Sequence, residues 1–237
     1  MATVKISSSS IDVSTEPDDG FHILMRGGKP LLTPAGKPYR LPSPALAEAI
    51  AGEWFALGEK KPSPAAIPLS MLAATAIDII ASSREDVIAA VLAYSASDLL
   101  CHRAEQPAAL AARQEELWQP LLEWCAVRFG ALLRAGTGII PVPQKSEAIS
   151  ALRSALDSRD DFALAGVKQA VETTGSLILG LALAEGERDA ASVFNAAELD
   201  AQFQAMTWGV DPAARARFDS ILKELEYCER WFRLLRR

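Results

Sequence analysis

The 237-residue chain predicts an α+β fold: a small β-rich N-terminal domain at residues 1–68, then a larger all-helical C-terminal domain at residues 69–237. Three observations predict it. Short apolar segments of strand length, "FHILM", "KPLLT" and "KPYRLP", follow one another between residues 21 and 42 and are separated by Gly27-Gly28 and Ala35-Gly36. From Ser43-Pro44 onward, apolar residues recur at helical spacing instead. A proline-rich connection, "EKKPSPAAIP" at residues 59–68, marks the boundary between the two patterns.

Taken in order, residues 1–20 are polar and predict a loose tail or an edge strand. Adjacent glycines at 27 and 28 supply the positive φ angles of a tight hairpin, and Thr33-Pro34-Ala35-Gly36 reads as a turn with proline at its second position. The same stretch, rich in glycine and basic residues, could be read as a phosphate cradle. A phosphate loop, however, opens directly into a helix with a Lys-Ser/Thr pair, and here Lys29-Pro30 and another strand follow. A hairpin with a solvated face carrying Arg26, Lys29, Lys37 and Arg40 is the better account.

Ser43-Pro44 is a helix start, a side-chain cap followed by proline at the first helical position, and Gly58 closes that helix. Beyond Pro68 the spacing predicts helices over residues 71–81, 85–94, 107–129, 146–157 and 161–184, two short helices over 189–208, and a last one opened by Asp211-Pro212. Pro120 is expected to kink or split the 107–129 helix. Gly175, Ser176 and Gly180 are read as small residues inside one long, central, buried helix. The last helix offers Phe218, Ile221, Leu222, Leu225, Trp231 and Phe232 as its core.

Composition narrows the function classes. Half the residues are hydrophobic and 23% are charged, as in a globular protein. The formal net charge of −6 disfavours nucleic acid as a partner. Three cysteines without close spacing suggest free thiols in a reducing compartment. The N-terminus has neither the apolar run of a secretory signal nor the arginines of a transit peptide, and residues 176–184 form an apolar run about half the length of a membrane span. A cytoplasmic protein is expected, or a mature one of the mitochondrial matrix, without stable membrane association.

No spacing demands catalysis. His22 falls in a predicted strand, and His102 beside Cys101 has no second Cys/His cluster with which to hold a metal. The carboxylate pairs Glu115-Glu116 and Asp160-Asp161 fall on predicted solvated faces or helix ends. Neither a metal nor a cofactor is expected. The five tryptophans, at 54, 118, 124, 208 and 231, are read as core filling, with a partner surface as the second reading. Charge is uneven: residues 185–200 hold five acids against one base, and residues 212–237 hold seven bases against four acids.

Several blocks in one order are similar to a known family. "GGKPLLTPAGKPYRLPSPALAEAIAGEW", "IPLSMLAATAID", "SDLLCHRAEQP" with "WQPLLEW", "GSLILGLAL" and "ELDAQFQAMTWGVD" together resemble the assembly chaperones of the F-type ATP synthase that act on the alpha subunit of its catalytic head. The resemblance implies a monomeric bacterial protein that is not an enzyme. It would bind the unassembled alpha subunit, shield its subunit-facing surface and release it as the alpha–beta hexamer forms. It also implies partner-binding residues Glu198, Asp200, Gln204, Trp208, Gly209 and Asp211, although Asp211 before Pro212 is equally a helix cap. Glu53, Trp54, Asp78, Asp98 and Arg103 match family positions and are expected to organise the domains, a buried Asp98–Arg103 pair being one arrangement. Two alternatives stay open at this point. One is a small-molecule enzyme with its site in the interdomain cleft. The other is an adaptor that recognises exposed helices through the basic end of its last helix, residues 230–237.

Overall fold

The computed structural model describes residues 4–5, 11–15, 19–58, 60–138 and 140–236, with no side-chain description at positions 4, 5, 11–13, 15 and 208. The chain divides into two compact units. One takes the N-terminal stretch up to Arg84 together with Asp161–Gly166 and the residues from Arg230; the other takes Glu85–Asp160 and Val167–Glu229.

The first unit contains an antiparallel sheet in the order β1 (Val4–Lys5), β2 (Ile11–Thr15), β3 (His22–Arg26), β4 (Lys29–Pro30), with β5 (Arg40–Leu41) also pairing with β3. Gly27 and Gly28, at φ 58° and 74°, turn β3 back onto β4 in the register Met25↔Pro30 and Arg26↔Lys29, the hairpin that two adjacent glycines favour. The predicted 29–33 and 37–42 segments shrink to two-residue strands. Between them, Thr33 closes its turn by donating to and accepting from the backbone of Lys37 and Gly36. Within the first twenty residues, the edge-strand reading holds for β1, while β2 pairs on both sides, with β1 and β3; the rest lies outside the described residues apart from Asp19 and Gly20.

Helix α1 (Pro44–Leu57) starts as the sequence predicts. Ser43 Oγ accepts from the Leu46 N–H at 3.1 Å, Pro44 sits in the first turn, and Leu46, Ala47, Ile50, Ala51 and Leu57 are buried. The expected 71–81 helix is a composite. Helix α2 (Pro68–Ala74) starts three residues early on Pro68, and the run then widens into a π-helical segment, Thr75–Ile80, before α3 (Ala81–Ala93), which kinks at Ser83. Ser83, at φ −139° and ψ 36°, is non-helical and interrupts the run just before the predicted 85–94 helix, and the Ser82 hydroxyl donates to the carbonyls of Asp78 and Ile79. Late pieces of chain complete this unit. Trp231 stacks on Phe162 at 6.0 Å between centroids and donates its indole N–H to the Phe162 carbonyl at 2.9 Å.

The second unit is helical, apart from a two-residue parallel pair, β6 (His102–Arg103) with β7 (Gly136–Thr137). Helix α4 (Ala108–Phe129) runs through Pro120 unsplit. Proline in a helix interior costs about 3 kcal/mol, but the turns around it bury Trp118, Leu121, Leu122 and Cys125, and at about 1.5–3 kcal/mol for each large side chain that burial outweighs the cost. The predicted 161–184 helix is two helices, α6 (Asp161–Thr174) and α7 (Leu177–Glu185). Gly175, at φ 70°, is the break and not a packing residue, and Ser176 caps α7 by accepting from the Leu179 N–H at 3.1 Å. Gly180 does have the close-approach role, because a Cβ there would lie 2.5 Å from a Val171 methyl. Every residue of α7 from Leu177 to Ala184 is buried. After α5 (Ser146–Asp157) and the helices just described come α8 (Ala190–Ala197), α9 (Leu199–Trp208) and α10 (Pro212–Leu235). No helix among the described residues is long and apolar enough to cross a membrane.

Candidate partner-binding site

Six residues of the α8–α10 stretch were singled out by the sequence, and they take different positions. Glu198 sits between α8 and α9 and is only 6% exposed. Its two carboxylate oxygens accept from Arg217 Nη1 and Nη2 at 2.6 and 2.8 Å, a fork-to-fork pair that ties α10 to the α8–α9 junction. Asp200, in the first turn of α9, accepts at Oδ1 from Gln114 Nε2 at 2.8 Å. Gln204 is exposed on α9. The backbone of Trp208 ends α9, and its side chain lies outside the described ones. Gly209 follows at φ 86°, turning the chain out of the helix. Asp211 caps α10, its Oδ1 accepting from the Ala214 N–H at 2.8 Å.

Sequence reasoning missed the residue that organises this stretch. Gln114 is 1% exposed and lies on α4. Its Oε1 accepts from the Ala104 N–H at 2.7 Å, its Nε2 donates to Asp200, and its backbone carbonyl accepts from Arg103 Nη1 at 2.6 Å. A signal existed, because Gln114 falls one turn before Trp118, itself read as core filling, and a polar residue on that face must find partners. Trp118 itself is buried and donates its indole N–H to the Ala196 carbonyl of α8 at 2.9 Å. The Arg103 guanidinium lies 5.2 Å from the Trp118 ring, and burial lowers its proton affinity.

Arg103 is thus not the partner of Asp98, contrary to the expected pair. Asp98 is fully buried and accepts from Ser176 Oγ at 2.7 Å and from the N–H groups of Leu100 and Ile178 at 3.1 and 3.2 Å. It joins the start of α7 to the 3-10 turn Leu99–Cys101, and desolvation raises its carboxyl pKa against the pull of those hydrogen bonds. The α7 N-terminus, with its unpaired N–H groups and positive dipole end, is what makes a buried carboxylate acceptable there.

In the first unit, Glu53 accepts from the N–H groups of Leu69 and Ser70 at 2.8 and 2.9 Å and from Ser70 Oγ at 2.7 Å, capping α2 from a distance. Burial is the largest influence on Glu53 and raises its pKa. Trp54 donates to the same Ser70 hydroxyl, and the Tyr39 hydroxyl donates to the Ser70 carbonyl. Burial, then the nearby Asp78 and Glu53, pushes the Tyr39 phenol up to about 12. Asp78 sits in the π-helical segment and accepts from Thr33 Oγ1 at 2.7 Å and the Ala35 N–H at 3.1 Å, while Lys37 Nζ donates to the Ile77 carbonyl. The turn read in the sequence is therefore pinned to the irregular helix.

No cluster of three or more His, Cys, Asp or Glu side chains able to hold a metal occurs among the described residues. The three cysteines are buried thiols whose pKa values are pushed up to about 12, by desolvation first. Exposed apolar side chains occur on α4, on α9 and just beyond α9. Leu117 of α4 is 42% exposed, Met206 of α9 is 65% exposed with its sulfur 3.4 Å from Arg113 Nη1, and Val210 is 38% exposed. Such an arrangement can hold a partner surface.

Comparison with known proteins identifies the family. The family model described as ATP12 chaperone protein matches residues 4–126. This chain belongs to the ATP12 chaperone family. It is similar to the crystal structure of ATP12 from Paracoccus denitrificans, at 37% identity and a TM-score of 0.89 over 98% of each chain. A variant of that Paracoccus protein with one aspartate replaced by lysine matches at 38% identity and 0.87 over 94% of this chain and 95% of the other. A chaperone candidate from Agrobacterium tumefaciens matches at 36% identity and 0.88, over 98% of this chain and 87% of that one. ATP12 membership confirms the α+β class with its helical C-terminal part and the resemblance drawn from the sequence blocks. It makes the chain a chaperone of ATP synthase assembly.

Proposed function

We propose that this ATP12-family protein binds the free alpha subunit of the F-type ATP synthase, covers its subunit-facing surface and gives it up as the alpha–beta hexamer closes. It does so as a cytoplasmic monomer, without a cofactor and without catalysing a reaction. The observation that carries the reading is family similarity over almost the whole chain, joined to sequence blocks that resemble the alpha-specific chaperones. An isolated ring subunit exposes a large, partly apolar interface, and such patches aggregate. A surface that combines exposed aliphatic side chains with carboxylates suits a partner that must be held and then released. On this reading Asp200, Gln204, Trp208 and Gly209 contribute to the contact, Glu198 holds their scaffold, and Asp211 serves mainly as a cap.

The test mixes the purified protein with alpha subunit diluted from denaturant and follows light scattering and gel filtration. The expected result is suppressed scattering and a one-to-one complex with alpha but not with beta. Equal protection of both subunits, or of neither, would remove the proposed specificity.

A further inference from the structure

We infer that Gln114 is the positioning residue of the partner site: it holds one oxygen of Asp200 so that the other is presented to a cationic group on the bound subunit. The inference rests on the proposed alpha-binding function and names the side chain behind its surface. Gln114 is almost fully buried and has its hydrogen-bonding groups engaged on two sides. Its carbonyl oxygen takes the Ala104 N–H, so the amide cannot turn over without setting a donor against a donor. With that end fixed, the NH2 end points at Asp200 Oδ1 and can only donate. Asp200 therefore has to be an acceptor, and its Oδ2 takes no hydrogen bond among the described residues. The backbone carbonyl of Gln114 is held in turn by Arg103, whose guanidinium lies against Trp118. The first turn of α9 is thus tied to a buried part of the second unit and not only to solvent.

The carboxylate of Asp200 and the exposed side chains of the two helices that meet there indicate the chemistry of the group it would meet. Leu117, one turn after Arg113 on α4, and Met206, in contact with Arg113, are exposed aliphatic side chains. A carboxylate oxygen matches the charged head of a lysine or arginine, and exposed aliphatic side chains on α4 and α9 suit the aliphatic stem of such a residue. An asparagine at position 200 could still accept from Gln114 but would present an NH2 group outward, which repels such a head.

A double-mutant cycle in the alpha-binding assay tests this, with Gln114→Met, Asp200→Asn and the pair. Each single change is expected to weaken alpha binding by about tenfold, and the pair to be no weaker than Asp200→Asn alone, because Gln114 acts only through Asp200. Both singles should also flatten the salt dependence of binding to the same extent. Losses that multiply, or a Gln114→Met protein that binds like wild type, would overturn the inference. Should Gln114→Met fold poorly, the reversed pair Gln114→Glu with Asp200→Asn keeps the test open, since it restores the hydrogen bond but moves the charge inward. That protein is expected to melt near wild type and to bind alpha weakly, and wild-type binding by it would refute the role. Wild-type protein that captures no alpha in the same assay would defeat the proposed function itself, a result distinct from a failed cycle.

Discussion

Replacing Asp98 by asparagine should destabilise the protein at neutral pH, and by an amount that depends on pH in a set direction. In the native structure Oδ1 accepts from Ser176 Oγ and the Leu100 N–H, and Oδ2 accepts from the Ile178 N–H. An asparagine oxygen can replace only the first of these acceptors. Its NH2 would face the Ile178 N–H, leaving donors opposed in a site with no solvent, at a cost of about 1–3 kcal/mol. For a chain of this length that is about 2–12 °C in Tm, read by thermal unfolding with circular dichroism. The pH sign follows from the raised carboxyl pKa of Asp98. The stabilisation tied to its protonated form is fully present below the ordinary carboxyl value and is lost as pH rises through the raised one. The wild-type advantage over Asp98→Asn is thus greatest in acid and narrows as pH rises. Equal stability of the two proteins at every pH, or a gap that widens with pH, would refute the reasoning.

Other changes probe other contacts. Gly180→Ala places a methyl 2.5 Å from a Val171 methyl and 3.3 Å from its backbone nitrogen, so a loss of about 1–3 kcal/mol, offset by at most about 1 kcal/mol of helix propensity, should appear in denaturant melts. Glu53→Gln leaves at least one of the Leu69 and Ser70 donors unmatched and should cost about 1–3 kcal/mol by the same measurement. Asp211→Ala removes the α10 cap and should cost about 1 kcal/mol while leaving the gel-filtration complex with alpha intact; loss of the complex would give Asp211 a contact role. The three cysteines, with thiols pushed up to about 12 by burial, should resist iodoacetamide in the folded protein and react once it is denatured, as mass spectrometry would show.

Local chemistry was readable where neighbours in the chain decide the outcome. Ser43-Pro44 and Asp211-Pro212 cap their helices because the capping groups are adjacent in sequence, and Gly27-Gly28 makes its hairpin for the same reason. Reading failed where distant chain decides. Gly175 and Gly180 look alike in an apolar run, yet one breaks the helix and the other packs on Val171. Nothing near Asp98 in sequence announces Ser176, and nothing near Asp200 announces Gln114; both partners come from remote segments. Asp78, in the π-helical segment, accepts from Thr33, forty-five positions away. Of the core predicted for the last helix, Leu225, Trp231 and Phe232 are buried, while Phe218, Ile221 and Leu222 are only half-buried.

The first unit is assembled from three separated stretches of chain, and that bears on how the protein can be made. Its core includes Phe162 and Trp231, and the cap of its first helix also donates to the Leu234 carbonyl. A nascent chain can lay down the sheet and α1 early, but it cannot close that core until all of the second unit has been synthesised. The unit that begins the sequence is thus the last to be completed, and until then its unfinished apolar face is exposed to the hazards the mature protein relieves in others.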